Sequence, residues 1–294
     1  MCDENVAVGA RVRVSFGRKK VVGIVLSHKE KSDFDKVTWL KSREGALGYK
    51  LKSVDEVLDD APLLSKDILD FLFWSANYYH HPIGEVLASA IPKNMRLGKP
   101  AEIKKARAFD NQISSADFDT TEEQNNAITT ILASKDNFSG YLLHGVTGSG
   151  KTEVYLRITE NLLQQGKQIL VLVPEIGLTP QMIARFEKRI DGKVVAIHSQ
   201  LNETQKTDAY LMAKSGEASV VLGTRSAIFA PMPNLGLVIV DEEHDGSFKQ
   251  QSSFRYSARD LSFMRAKLAN APLILGTATP SLETLKNVMD KKLT

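Results

Sequence analysis

The run Gly145, Val146, Thr147, Gly148, Ser149, Gly150, Lys151 and Thr152 narrows the available folds more than any other stretch of this 294-residue chain. It follows an apolar run, Tyr141 to His144, and precedes a segment of helical spacing, so a strand, a glycine-rich turn and a helix succeed one another. The glycines let the backbone wrap a chain of phosphates, with consecutive N–H groups and the positive end of the helix turned toward the charge. In that setting Lys151 reaches the β- and γ-phosphates of a nucleotide and Thr152 coordinates Mg²⁺.

The pattern around this turn predicts an α/β fold with a parallel sheet and helices on both faces. Strand-like runs at Tyr141–His144, Ile169–Val173, Val194–Ile197, Val220–Leu222, Leu237–Val240 and Leu273–Leu275 are apolar almost throughout, as buried parallel strands are. Between them lie helical stretches whose N-caps are Thr179 ahead of Pro180, Asn202, Ser257 and Ser281, and Gly166 closes the helix after the phosphate turn. The strand Leu237–Val240 delivers Asp241 and Glu242 about ninety residues beyond the turn. An acid at that strand end is suited to hold Mg²⁺ through water, and Glu242 to orient or deprotonate an attacking water.

The first hundred residues read differently. Arg11–Phe16 and Val21–Leu26 alternate as a hairpin carrying Arg11, Arg13, Arg18, Lys19 and Lys20, which form either a solvated face or a DNA contact. From Ser65 the apolar spacing becomes helical and ends near Tyr79, ahead of Pro82. His80 and His81 lack the accompanying ligands of a metal site and read as packed or DNA-facing residues. We divide the chain into a small β-rich α+β domain at 1–92, a polar linker at 93–119 and the α/β lobe at 120–294. The single cysteine, Cys2, rules out a Cys-x-x-Cys zinc site within the chain, and no apolar run approaches the roughly 18 residues a membrane span needs. The reading is of a cytoplasmic protein without a membrane partner.

Asp241-Glu-Glu-His244 and Gly276-Thr-Ala-Thr-Pro-Ser281 together resemble motifs two and three of a superfamily-two helicase. Pro174–Gln181, His198-Ser199, Gly223–Ser226 and the N-terminal string Tyr78–Glu85 are similar, in order and spacing, to the PriA family of bacterial replication-restart helicases. The resemblance covers nearly the whole chain. It implies a RecA-like lobe that binds ATP and Mg²⁺, forked or single-stranded DNA as partner, 3′-to-5′ movement, and association with the primosome, single-strand-binding proteins and the nucleoid.

The resemblance also assigns roles. Gln124 hydrogen-bonds adenine in such helicases, while the spacing from Thr121 equally fits a capping box. Thr179 and Arg225 lie where DNA phosphates are gripped, with a salt bridge as the alternative for Arg225. Phe248, Lys249, Phe254, Arg255 and Tyr256 resemble the aromatic-rich loop that joins DNA contact to hydrolysis; Phe248 and Tyr256 packed on the sheet is the other arrangement the spacing allows. His244, Thr277 and Thr279 fall where such motors relay between nucleotide and DNA.

Against the family pattern, the chain starts after an extended segment with a Phe-Asp pair, and only about 27 residues of linker leave no room for a winged helix. On this reading the cysteine-rich zinc region and second motor lobe of the family are expected to be lacking from the chain. An arginine finger from that lobe is worth roughly 10³ to 10⁵ in rate. The expectation is a truncated chain that binds nucleotide and DNA but hydrolyses ATP poorly alone. A binding module without turnover is the competing reading, and a lobe of another loop-containing NTPase is a third.

Overall fold

The computed structural model describes residues 6–28, 53–103 and 119–294. Cys2 and most of the expected linker, residues 104–118, lie outside them. Strands β1 (Arg11–Phe16), β2 (Lys19–Ile24) and β3 (Glu56–Val57) form an antiparallel sheet in the order β2-β1-β3. The helices α1 (Lys66–Tyr78), α2 (Ile83–Ala90) and α3 (Lys93–Arg96) follow. Lys93–Arg96, read from sequence as the start of the linker, is helical; Met95 is fully buried there, and one apolar anchor is too little for a periodic signal.

The α/β lobe begins with α4 (Glu122–Leu132) and continues as β4 (Gly140–His144), α5 (Lys151–Leu163), β5 (Gln168–Leu172) and α6 (Pro180–Arg189). It is completed by β6 (Lys193–Ile197), α7 (Glu203–Ser215), β7 (Ala218–Gly223), β8 (Leu235–Asp241), α8 (Ala258–Leu268), β9 (Leu273–Thr277) and α9 (Leu282–Met289). The six strands pair in parallel in the order β4-β9-β8-β5-β7-β6. The helix starts have the expected chemistry: the Thr179 hydroxyl accepts from Met182 N–H, Asn202 closes a capping box with Gln205, and Ser257 and Ser281 cap α8 and α9.

Side chains alternate across the sheet. Ile169 and Val171 of β5 join a core with α5 and α6, whereas Leu170 and Leu172 join the core on the other face. That second core takes in not only α7 and α8 but also Ile68, Phe71 and Leu72 of α1, Val86 of α2, Met95 of α3 and Leu63 ahead of α1. The Phe71 ring lies 6.0 Å from that of Phe229, and the Arg265 guanidinium sits 5.5 Å over Phe71 while donating to the Ala230 carbonyl. Burial holds Arg265 down to a pKa of about 10. The N-terminal helices are therefore part of the covering that makes one side of the parallel sheet apolar. Among the described residues no helix is long and apolar enough to cross a membrane.

Arg11, read from sequence as either solvated or DNA-facing, is neither. It is 1% exposed and forks onto Asp59, with further donations to the Met95 and Lys99 carbonyls at 2.9 Å each. Its guanidinium ties β1 to α3 and the strand β3 connection, while Arg18, Lys19 and Lys20 remain exposed at the hairpin tip. Removing one partner of a buried pair leaves the other charge stranded, so Arg11→Ala should lower unfolding free energy by about 3–5 kcal/mol in a urea titration. A loss below about 1 kcal/mol would show that Arg11 is not the clamp described.

Candidate nucleotide site and its neighbours

All six parallel strands end at one edge of the lobe, and the lobe motifs that follow strands occupy that edge. The phosphate turn follows β4, Asp241 and Glu242 end β8, Thr277 ends β9, Thr179 follows β5, and Arg225 follows β7. Gly148 and Gly150 both take the left-handed backbone, each at φ 84°, which turns the chain into the N-terminus of α5. That conformation strains any residue with a side chain, and a Cβ on Gly150 would also lie 2.4 Å from Gln124 Nε2 and displace that amide.

A cleft of about 700 Å³ is lined by Gln124, Thr147, Gly148, Gly150, Lys151, Thr152, Asp241 and Glu242, together with Asp119 and residues of α5 and α6. Its size suits a nucleotide-sized ligand. Lys151 Nζ donates to the Gly145 carbonyl at 2.7 Å and stands 3.9 Å from Glu242 Oε1. The ammonium, on a side chain 10% exposed, thus faces both the glycine turn and Glu242 across it. Gln124 does two things at once. Its carbonyl oxygen accepts from Thr121 N–H in the capping box, and its amide donates to the Ser149 carbonyl at 3.0 Å.

Asp241 is shaped by residues that the sequence did not point to. Burial raises its pKa above the ordinary carboxylate value, against the opposing effect of Tyr155, whose hydroxyl donates to Asp241 Oδ1 at 2.9 Å. Tyr155 is fully buried, and its own pKa is pushed well up by burial, then by the charge of Asp241. It fits because residue 276 is glycine: a Cβ there would stand 1.6 Å from the tyrosine oxygen. Glu242 has φ 48°, a left-handed conformation that costs a non-glycine residue about 1–3 kcal/mol. Strain of that kind persists where its surroundings over-determine it.

Motifs two and three are joined by direct contacts. His244 Nδ1 is 2.7 Å from Thr277 Oγ1, which also accepts from Thr279 N–H. Glu243, the third acid of the run, is buried. It accepts from Ser281 N–H, Ser281 Oγ, Thr284 Oγ1 and Arg259 Nη1, at 2.7 to 3.2 Å. A side chain holding four donors is a structural hub, and its position in a run of acids gave no sign of it.

In the loop between these motifs Phe248 and Tyr256 take the packed arrangement that the spacing also allowed, and Phe254, expected to face DNA, joins them. Phe248, Phe254 and Tyr256 are 1%, 1% and 6% exposed. Phe254 and Tyr256 pack against Phe229 and are stacked on each other at 4.9 Å, Phe254 also meets Tyr79, and Phe248 is buried in the same core. Apolar surface on the lobe and the N-terminal helices offers these rings more burial than solvent does. Lys249 and Arg255 of the same loop remain exposed. Arg225 Nη1 donates to the Ser247 and Lys249 carbonyls and its other arm lies 3.9 Å from Glu175, so it supports the loop from below. Thr179 is exposed at the start of α6. His80 is exposed, whereas His81 contacts Glu85 and the backbone of Arg255.

Comparison with known proteins agrees with this architecture. A DEAD/DEAH box helicase model matches residues 121–288, and the chain belongs to that family. Its more particular likeness is to PriA: residues 2–92 match the 3′DNA-binding domain of PriA. Replication restart protein PriA of Haemophilus influenzae is 35% identical over 363 residues, covering 99% of this chain and 48% of the relative. The PriA of Synechocystis is 50% identical over 191 residues, covering 64% of this chain and 23% of its own length. The chain thus spans about half the length, or less, of these curated relatives. Among solved structures, RecG bound to a three-way DNA junction aligns with a TM-score of 0.46 at 22% identity, over 77% of this chain and 29% of that one.

Gly276→Ala should lower the thermal midpoint, because its Cβ overpacks Tyr155 at a cost of about 1–3 kcal/mol. Adding Tyr155→Phe should recover part of that loss by removing the clashing oxygen. A neutral Gly276→Ala, or no recovery in the pair, would contradict the packing described.

Proposed function

We propose that this chain is the ATP-binding lobe and DNA-binding portion of a replication-restart motor, using ATP hydrolysis to move 3′ to 5′ on single-stranded or forked DNA. The observation that carries this reading is the convergence of Lys151, Thr152, Asp241 and Glu242 on one cleft. PriA-type partners, the primosome and single-strand-binding proteins, and a cytoplasmic setting at the nucleoid belong to the same proposal.

The residues present fit a magnesium nucleotide. N–H groups of the glycine turn and the start of α5 bind the phosphates, and Lys151 exchanges its bond to the Gly145 carbonyl for the terminal phosphates. Thr152 and, through water, Asp241 would hold Mg²⁺, which would supply positive charge to the phosphate oxygens. Glu242 orients and deprotonates the attacking water. Gln124, already bonded to the phosphate turn, turns its amide to adenine when nucleotide enters. Lys249, Arg255 and Thr179 meet DNA phosphates, while Arg225 sets the loop that carries Lys249. His244, Thr277 and Thr279 relay between the two ligands.

Two measurements test this. Lys151→Ala should weaken binding of a fluorescent ATP analogue in the presence of Mg²⁺ by more than about tenfold, since it removes a charged contact to phosphate; equal affinity would refute the site. Phosphate release with and without forked DNA then decides between motor and binding module. DNA-stimulated release supports the motor, and binding of both ligands without stimulated release supports a module that only occupies DNA.

A further inference from the structure

We propose that Tyr79 is a positioning residue through which the N-terminal helices set the acids of the nucleotide cleft. The contact it makes is specific. Its hydroxyl accepts from Ser257 N–H at 3.1 Å and lies 3.5 Å from the carbonyl of the same residue. Its ring meets Phe254 edge to face at 5.8 Å, as does that of His81 at 5.3 Å. His81 Nε2 accepts from Arg255 N–H at 3.4 Å. Two residues just beyond α1 therefore hold three of the four residues from 254 to 257, by hydrogen bonds or ring contacts, and those four close the loop joining motif two to α8.

From Ser257 the route continues without a gap. Ser257 Oγ caps α8 by accepting from Asp260 N–H, so the position of Ser257 fixes where the helix begins. Arg259, in the first turn of α8, donates to Glu243 Oε2 at 3.2 Å and to Ser281 Oγ at 2.9 Å. Glu243 N–H in turn donates to the Gly276 carbonyl, and Glu243 directly follows the strained Glu242. A displacement at residue 257 reaches Glu242 and Asp241 through one helix turn and one buried ion pair, both stiff elements.

The hydroxyl is what distinguishes this role from packing. Phenylalanine would fill the same space against Phe254, and only tyrosine bonds Ser257. Burial raises the pKa of Tyr79 to about 12, which keeps the hydroxyl protonated across the physiological range. Tyr79 and His81 lie within residues 2–92, which match a DNA-binding domain, whereas Ser257, Arg259 and Glu243 lie within the helicase match. The contact spans the two.

This inference rests on the reading that the lobe binds nucleotide and the chain binds DNA. It is tested on the full chain by the affinity of a fluorescent, non-hydrolysable ATP analogue with Mg²⁺, measured without and with saturating single-stranded oligonucleotide. The ratio of the two affinities is the coupling between sites, and the oligonucleotide's affinity must change by the same ratio. The wild-type chain should show a ratio of at least about threefold, within the usual range for coupled sites. Tyr79→Phe should bring it close to one while each ligand alone binds within about twofold of wild type. Arg259→Lys, at the far end of the route, should do the same, and the double variant should lose no more than either single variant. A wild-type ratio near one, or a ratio unchanged in folded Tyr79→Phe, would overturn the inference while leaving the functional reading intact. Failure of the wild-type chain to bind nucleotide or oligonucleotide would overturn that reading, and this one with it.

Discussion

Burial of a parallel sheet on both faces is the constraint from which the rest follows. Six strands covered by helices on either side leave one free edge at which the chain can present polar chemistry, and every motif loop of the lobe falls on that edge. The same requirement explains the N-terminal helices. Leu170, Leu172 and Val221 need cover, and α1 and α2 supply part of it. The region matched by a DNA-binding domain is thereby fastened to the helicase lobe by apolar packing and by the Tyr79 and His81 contacts.

Within that frame the acids of the cleft are held by a small set of close contacts. Asp241 is fixed from one side by Tyr155, which in turn depends on the missing side chain at Gly276. Glu243 gathers Ser281, Thr284 and Arg259 and so binds the end of β8 to the starts of α8 and α9. Glu242 stands between these two anchors with its backbone in the left-handed region, at φ 48°.

Much of this was legible in the residues. All six strands of the lobe, the four caps and the glycine turn were read from apolar runs and local chemistry, because those signals depend on neighbours in sequence. The aromatic loop left two arrangements open for Phe248 and Tyr256, and burial of Phe254 was not legible because Tyr79 and Phe229, which meet its ring, are distant in sequence. Arg11 looked like one of five hairpin cations, and its partner Asp59 lies 48 residues away. Tyr155 and Glu243 carry no local signature for the same reason: Gly276 and Arg259, which give them their roles, are distant in the chain.

The claim on which the account stands is that the turn before Lys151 and the carboxylates ending β8 form one magnesium nucleotide site. Titration calorimetry of the chain with a non-hydrolysable ATP analogue, with and without Mg²⁺, tests it most directly. The account predicts saturable one-to-one binding that weakens sharply when the metal is chelated. An absence of heat at millimolar nucleotide, or binding indifferent to Mg²⁺, would contradict it.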